Sequence, residues 1–374
     1  FNKDMTTSVQ PVVTFGANSP YNTYQITGSW TNSKTWQGTY AFTASTGDGS
    51  YKIMVSGAKD KAGNVMASAE AGDFILDTGT PAMPVLNSIA TPTKIAAVTV
   101  SGTKPANTAI KINGVQKVSL DALTAWSAAY TLTEGTNQLT IKAVNAAGNE
   151  SAAASATVVL DTVAPRIASS SPANGSSLTQ VNKIDVLLTD DTTGVDFDAS
   201  KTGAFVKVSG QQVSGLWSVE NNHLIFTPAG QMAEGLYTVT LSPADILGNK
   251  ATTSFNFTIE TAPPQVQTLA MNPPSPHKAE TVTFTITFNE DMTTGVAPIV
   301  TFGTNSPYNT YQLSGSWTNS KTWQGTYAFT ANTGDGTYTV RVSGAKDKAG
   351  NTFSPQNIGT FVLDTIPPQS PAVN

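Results

Sequence analysis

The sequence predicts an all-β chain, built as an elongated array of tandem Greek-key β-sandwich domains. Three observations lead there. Residues 1–64 return as residues 288–351 with 52 of 64 positions identical. A chain that gains length by repetition does this with a unit that folds by itself. Short runs alternate polar with apolar residues, as in 281–288, where Thr alternates with Val, Phe, Ile and Phe. A period of two marks a strand with one buried face. No window sustains a helical period, because prolines and glycines break each candidate.

The domain ends recur four times. A strand-like run reaches a turn closing on Gly63-Asn64, Gly148-Asn149, Gly248-Asn249 or Gly350-Asn351. The exits Leu76-Asp77-Thr78, Leu160-Asp161-Thr162, Ile259-Glu260-Thr261 and Leu363-Asp364-Thr365 come next. Each is trailed by a proline: Pro81, Pro165, Pro263 and Pro367. Proline cannot donate to a sheet ladder, and its fixed ring stiffens the linker. These signals predict domains at 1–80, 81–163, 164–262 and 263–366, with 367–374 opening a further linker. Within the fourth, 281–288, 311–317, 323–330 and 338–342 read as strands. About seven short strands per ~100 residues point to sandwiches of immunoglobulin type.

The first domain starts at the residue matching Phe288, so the runs 266–271 and 281–287 of its twin have no counterpart in it. A first domain lacking two strands is expected to expose apolar surface and a sheet edge. Either the chain is a stretch of a longer repetitive protein, or another molecule donates the strands.

Composition narrows the function. Of 374 residues 12% are charged, the net charge is −5, and there is no cysteine. No basic face is available for phosphates, so nucleic acid is not an expected partner. No apolar run approaches the ~20 residues of a membrane span. Disulfides, thiolate metal sites and thiol nucleophiles are excluded.

The run 340–351, ending in Lys346-Asp347-Lys348-Ala349-Gly350-Asn351 and followed by Phe361-Val362-Leu363-Asp364-Thr365 and Pro367, resembles the end of a bacterial Ig-like domain. The third domain resembles the same group through Ser171-Pro172-Ala173-Asn174-Gly175 and Gly235-Leu236-Tyr237-Thr238-Val239, and the second through Glu134-Gly135-Thr136-Asn137 and Ala146-Ala147-Gly148-Asn149. The resemblance implies tandem arrays in large secreted or cell-surface proteins, often adhesins. It is a fold-level analogy.

In a seven-strand sandwich the B–C and F–G loops share the pole at which the chain enters, so each linker meets those loops of the next domain. In the third domain this pole gathers Asp190, Asp191 and Asp196 with Asp245 and the linker residue Asp161. In the fourth it gathers Glu290 and Asp291 with Asp347 and the linker residue Glu260. Converging carboxylates repel unless neutralised. Calcium, which takes six to eight oxygens at flexible geometry, suits such loops. The alternative is solvated acids capping their own turns. At the entry to the second domain Asn145 replaces the aspartate and only Asp77 remains, which makes it a poor candidate, and in the first Lys3 replaces Glu290, which weakens the corresponding site.

Tyr308 and Trp317 are candidates for sugar contact. However, Trp323, Tyr327 and Phe329 share one strand parity, as do Tyr311, Leu313 and Trp317, which is the pattern of a buried face. His223 is expected at a hairpin end and His277 in a loop. Neither sits in a triad or metal-ligand spacing, and no nucleophile elbow or phosphate-binding glycine loop is present. The expectation is a non-enzymatic extracellular stalk, fibre or adhesin shaft. Its partners would be neighbouring copies of itself, or a surface glycan or protein receptor. The alternatives are a carbohydrate-binding accessory region of a secreted polysaccharide-active enzyme, and a filament or sheath subunit with strand exchange.

Overall fold

The computed structural model describes residues 1–370, so residues 371–374 of the final linker lie outside the described residues. The chain forms two compact units, Phe1–Thr162 and the residues from Val163 onward. Regular structure among the described residues is β-strand except for one short α-helix, Phe197–Thr202, and two three-residue 3-10 turns.

In the first unit, residues 1–80 form a single five-stranded sheet. Its order is Trp36–Thr39, Tyr24–Trp30, Val12–Gly16, Gly49–Ser56, Ala69–Leu76. Residues 81–162 form two facing sheets. One has the order Ala125–Thr131, Ala97–Thr103, Val85–Leu86; the other has Ala154–Leu160, Gly135–Val144, Thr108–Ile112, Val115–Asp121. The alternating residues Val100, Ile110, Ile112, Trp126, Leu139 and Ile141 meet between them. Each fully buried aliphatic there contributes about 1.5–3 kcal/mol. No disulfide is needed.

In the second unit, residues 163–262 pair a four-stranded sheet with a five-stranded one, around Ile184, Val186, Leu224, Phe226, Tyr237 and Phe257. The helix Phe197–Thr202 departs from the all-strand expectation. At six residues it is too short to show a period. Its local chemistry is nevertheless legible: the Asp196 carboxylate accepts the Ala199 N–H at 3.0 Å, with Asp198 in the first turn and Lys201 in the last.

Residues 263–366 form two four-stranded sheets. One has the order Val266–Asn272, Thr281–Phe288, Thr322–Ala328, Ser314–Trp317; the other has Tyr311–Gln312, Ile299–Gly303, Gly336–Ser343, Gln356–Leu363. Phe284, Phe302, Trp323 and Phe361 fill the interior. The chain section that runs unbroken as Tyr24–Trp30 in the first copy is here divided between the two sheets, with Leu313 turned into the core.

One lock recurs at all four exits. The exit threonine bonds the acid that opens the penultimate strand. Thr78 N–H and hydroxyl donate to Asp48 at 2.7 and 2.8 Å, and Thr365 does the same to Asp335 at 2.8 and 2.7 Å. The Thr162 hydroxyl reaches Glu134 at 2.8 Å, and the Thr261 N–H reaches Glu234 at 2.9 Å. Each acid precedes a glycine at positive φ: Gly49, Gly135, Gly235 and Gly336. Only glycine adopts that backbone at little cost. Asp335→Ala is expected to raise amide hydrogen exchange at Thr365 and at the end of Gln356–Leu363, while leaving Val282–Ile286 unchanged. Unaltered exchange at Thr365 would show that the lock is idle.

Candidate metal centre

The site is built on the Gly-Asn turn that closes the last module. Asp347 is fully buried. Its Oδ1 accepts the N–H groups of Gly350 at 2.7 Å and Asn351 at 2.8 Å, and its Oδ2 accepts the Asn351 side-chain amide at 2.8 Å. Gly350, at φ 99°, allows the reversal. The Thr293 hydroxyl donates to Asp347 O at 2.6 Å and ties the turn to the loop that carries Glu290. Asp60 and Asn64 make the same turn in the first module, Asn145 and Asn149 in the second, and Asp245 and Asn249 in the third. The repeat is therefore a local Asx device.

The turn also grips the incoming linker. Within the first unit the Asn149 amide donates to Asp77 O at 2.8 Å, and within the second unit the Asn351 amide donates to Glu260 O at 3.1 Å. The two junctions then diverge. In the first unit the Asn145 amide donates to the Asp77 carboxylate at 2.8 Å, so linker and turn close directly. In the second unit the residue at that turn position is Asp347, the linker acid is Glu260, and the neighbouring loop adds Glu290. One carboxylate oxygen from each of the three lies within 4.8 Å of the others. Burial, together with the charges of Glu260 and Asp347, pushes the Glu290 carboxyl up to about 7. Desolvation and like charge both disfavour its anion. Such a group needs a proton or a cation.

The donor set is three carboxylate oxygens, which suits a hard cation such as calcium rather than a thiolate-seeking one. Glu260, Glu290 and Asp347 would hold it.

The remaining expected ligands each have protein partners within their own unit. Asp291 is adjacent to Glu290 but is turned away. Its Oδ1 accepts the Ser320 hydroxyl at 2.6 Å, and its Oδ2 pairs with Lys348 at 3.0 Å. The acidic pair thus supplies one ligand, not two. Asp191 is exposed and pairs with Arg166 at 3.3 Å. Asp196 caps the helix. Asp190 Oδ1 accepts the N–H groups of Thr192, Thr193 and Gly194 at 2.8–3.1 Å. Asp245 serves its own turn through Leu247 and Asn249. Asp161 belongs to the first unit, where its N–H donates to Thr93 O at 2.9 Å.

The aromatics are largely structural. Trp323 and Phe329 are buried, as their parity predicts. Trp317 packs against Phe288 with ring centroids 5.5 Å apart, and its indole N–H donates to Val296 O at 3.0 Å. Tyr308 is half-buried at φ 59°. Tyr308 and Trp317 are thus not a pair of free rings.

His277 does not stand free in a loop, as the prolines before it suggest. It is 1% exposed, stacked on Phe329 at 5.7 Å, with Glu280 Oε1 3.7 Å from Nδ1. Neither ring nitrogen has a hydrogen-bond partner. Burial lowers its pKa against the pull of Glu280. The unfolded chain then binds the proton better than the folded one. Stability is present above the ordinary histidine value of about 6.5 and falls as pH drops below it. The raised Glu290 carboxyl in the same module works in the opposite sense, so the contribution of His277 is read as the difference between the chain and His277→Phe: below about pH 6.5 the variant is expected to gain stability relative to the chain. A difference that does not change with pH would remove His277 as a titrating contributor.

Sequence reasoning missed Asn149 and Asn351 as linker clamps and the acid–Gly lock at the exits. The repetition of both dipeptides could have revealed them.

Residues 161–259 match the family model described as a bacterial Ig-like domain. No curated protein matches. Among solved structures, titin domains A168–A170 are 12% identical over 75% of this chain and 98% of that one, at a TM-score of 0.35. The Escherichia coli adhesin FdeC is 16% identical over 84% of this chain and 92% of that one, at 0.32. The chicken CNTN1 FN1–FN3 domains are 9% identical over 76% and 99%, at 0.34. The chain is an all-β tandem array whose modules from residue 81 onward are two-sheet sandwiches, and residues 161–259 match the bacterial Ig-like domain family.

Proposed function

We propose that this chain is a non-enzymatic structural or adhesive array at the cell surface, and that calcium stiffens the junction between its last two modules. The carrying observation is the contrast between two junctions of one design. Where the turn offers an amide, Asn145 bonds the linker acid directly. Where it offers Asp347, three carboxylates converge and one is held far from its usual range. A cation between Glu260, Glu290 and Asp347 would do for the second junction what the amide does for the first. It would remove hinge freedom, which a load-bearing or projecting array needs. The near-identical copies separated by two divergent modules also favour an array, since length is the property that repetition supplies.

The test is calcium titration of the chain followed by calorimetry. Binding is expected in the ~10⁻⁴–10⁻³ M class of extracellular modules. Saturating calcium should raise the melting temperature of the second unit, and chelator should reverse it. Glu290→Gln should abolish the response. A melt indifferent to calcium up to 10 mM (roughly ten times the upper end of that class) would reject the metal clip while leaving the array reading intact.

A further inference from the structure

One loop occurs twice with the same residues and is engaged differently in the two copies. It is Asn18-Ser19-Pro20-Tyr21-Asn22-Thr23 in residues 1–80 and Asn305-Ser306-Pro307-Tyr308-Asn309-Thr310 in the last module. Each closes through a backbone bond, Tyr21 N to Asn18 O and Tyr308 N to Asn305 O, both at 2.7 Å. In each the tyrosine stands at positive φ, 58° and 59°, where the other non-glycine residues are Asn or Ser. A bulky side chain in that region is strained, and such strain collects at ligand contacts. The strand beneath holds the strain in place. A Cβ on Gly303 would meet Tyr308 Cα at 3.1 Å, so glycine lets the loop sit this close.

The ring of Tyr308 is left unengaged. Of the ten tyrosines it alone makes no aromatic contact, cation contact or hydroxyl hydrogen bond among the described residues. Beside it Asn309 and Thr310 are exposed, and their side chains make no hydrogen bond. By contrast Asn319, in the next hairpin, accepts the N–H groups of Lys321 and Thr322 at 2.8 and 2.9 Å. The copies differ around the ring. In residues 1–80 Lys52 stands over Tyr21 at 5.7 Å, pairs with Glu70 at 2.7 Å and lies opposite Asp73. The matching positions in the last module are Thr339, Asn357 and Thr360. Thr339 pairs with Gly303 on one side and Thr360 on the other, so its strand runs beside the loop. A cation and two acids are thus replaced by two hydroxyls and an amide. Arg341, farther along the strand, holds the Asn357 side chain at 3.3 Å.

We infer that Tyr308, Asn309, Thr310, Thr339 and Thr360 form a contact site for a neutral saccharide. A sugar ring offers one apolar face and a rim of hydroxyls that both donate and accept. The free tyrosine ring takes the apolar face, and the amide and hydroxyls beside it, which also donate and accept, take the rim. None of the five residues carries a charge that would favour an ionic ligand. A protein partner is disfavoured, because its interface needs an apolar centre within roughly 1,000 Å² or more, and this loop presents a single ring. In the first copy Lys52 already lies over the tyrosine, which closes that site to the same ligand. The inference goes beyond the array reading, which stands whatever this loop binds.

The test displays neutral oligosaccharides ending in glucose, galactose, mannose or N-acetylglucosamine on a surface and measures retention of the full 374-residue chain. We expect retention on at least one of them, competed by the same sugar in solution. Tyr308→Asn should weaken it roughly tenfold or more, as truncating a tyrosine anchor does. It should do so without lowering the melting temperature, because asparagine accepts positive φ. Thr339→Lys sets over Tyr308 the cation that stands over Tyr21, and should weaken retention similarly with the loop unaltered. Retention unchanged by both substitutions would overturn the inference. So would retention on none of these surfaces. A loss in Tyr308→Asn that comes with a lower melting temperature and is not reproduced by Thr339→Lys would also overturn it, because the ring would then serve the fold.

Discussion

Phe329→Ala is expected to destabilise the last module by about 3–5 kcal/mol, the range for emptying a buried aromatic site. Phe42→Ala, the same change at the matching position, is expected to cost well under half as much. The two residues have similar ring neighbours: Phe329 lies 5.7 Å from Phe302 and 5.3 Å from Phe361, and Phe42 lies 5.8 Å from Phe15 and 5.4 Å from Phe74. They differ in the side that faces Thr281–Phe288. One ring is sealed and the other meets water, at 3% against 45% exposure. Truncating a ring that already touches solvent leaves no closed cavity, so the cavity contribution vanishes and the transfer contribution shrinks. Urea denaturation followed by hydrogen exchange in each module measures both in one chain. Equal losses would show that the difference in exposure between the two rings does not set the cost of truncation.

The second large effect concerns Asp347. Asp347→Ala removes the acceptor for two backbone N–H groups and one side-chain amide in a buried turn. An orphaned buried donor costs about 1–3 kcal/mol, so a loss of roughly 2–4 kcal/mol in the second unit is expected. Asp347→Asn should be far milder. Asn145 already performs that turn in the first unit, where its Oδ1 accepts the Asn149 N–H at 2.9 Å and its amide holds the linker acid Asp77. Asp347→Asn is therefore expected to keep the fold and lose the calcium response. Melting with and without calcium separates the two roles. If Asp347→Asn retained the full response, the ion would lie elsewhere.

Much of the architecture was legible because its signals are local. Alternation in Thr281–Phe288 identifies a strand with a buried face, and all four of its apolar residues are buried. Asp347 with Asn351 four residues on specifies the turn, because an Asx side chain finds its own backbone at that spacing. The site was half legible. Glu260, Glu290 and Asp347 come together as the loop polarity predicts, but Asp291 does not, because Ser320 and Lys348 hold its carboxylate. The short helix capped by Asp196 was not legible, since one and a half turns carry no period.

By itself, then, the sequence determined the strands, the turns and the modular repetition, all of which depend on residues within a few positions of one another. Only the tertiary structure decided which carboxylates share a space and which aromatic rings are sealed. The copies show why. Nearly identical segments give one continuous strand at Tyr24–Trp30 and a divided one at 311–317, with Leu313 turned inward. The neighbouring Thr281–Phe288 pairs with Thr322–Ala328 in the last module, and no such pairing is made within residues 1–80. Burial is a property of what lies across the sheet, and no local sequence encodes its own partner.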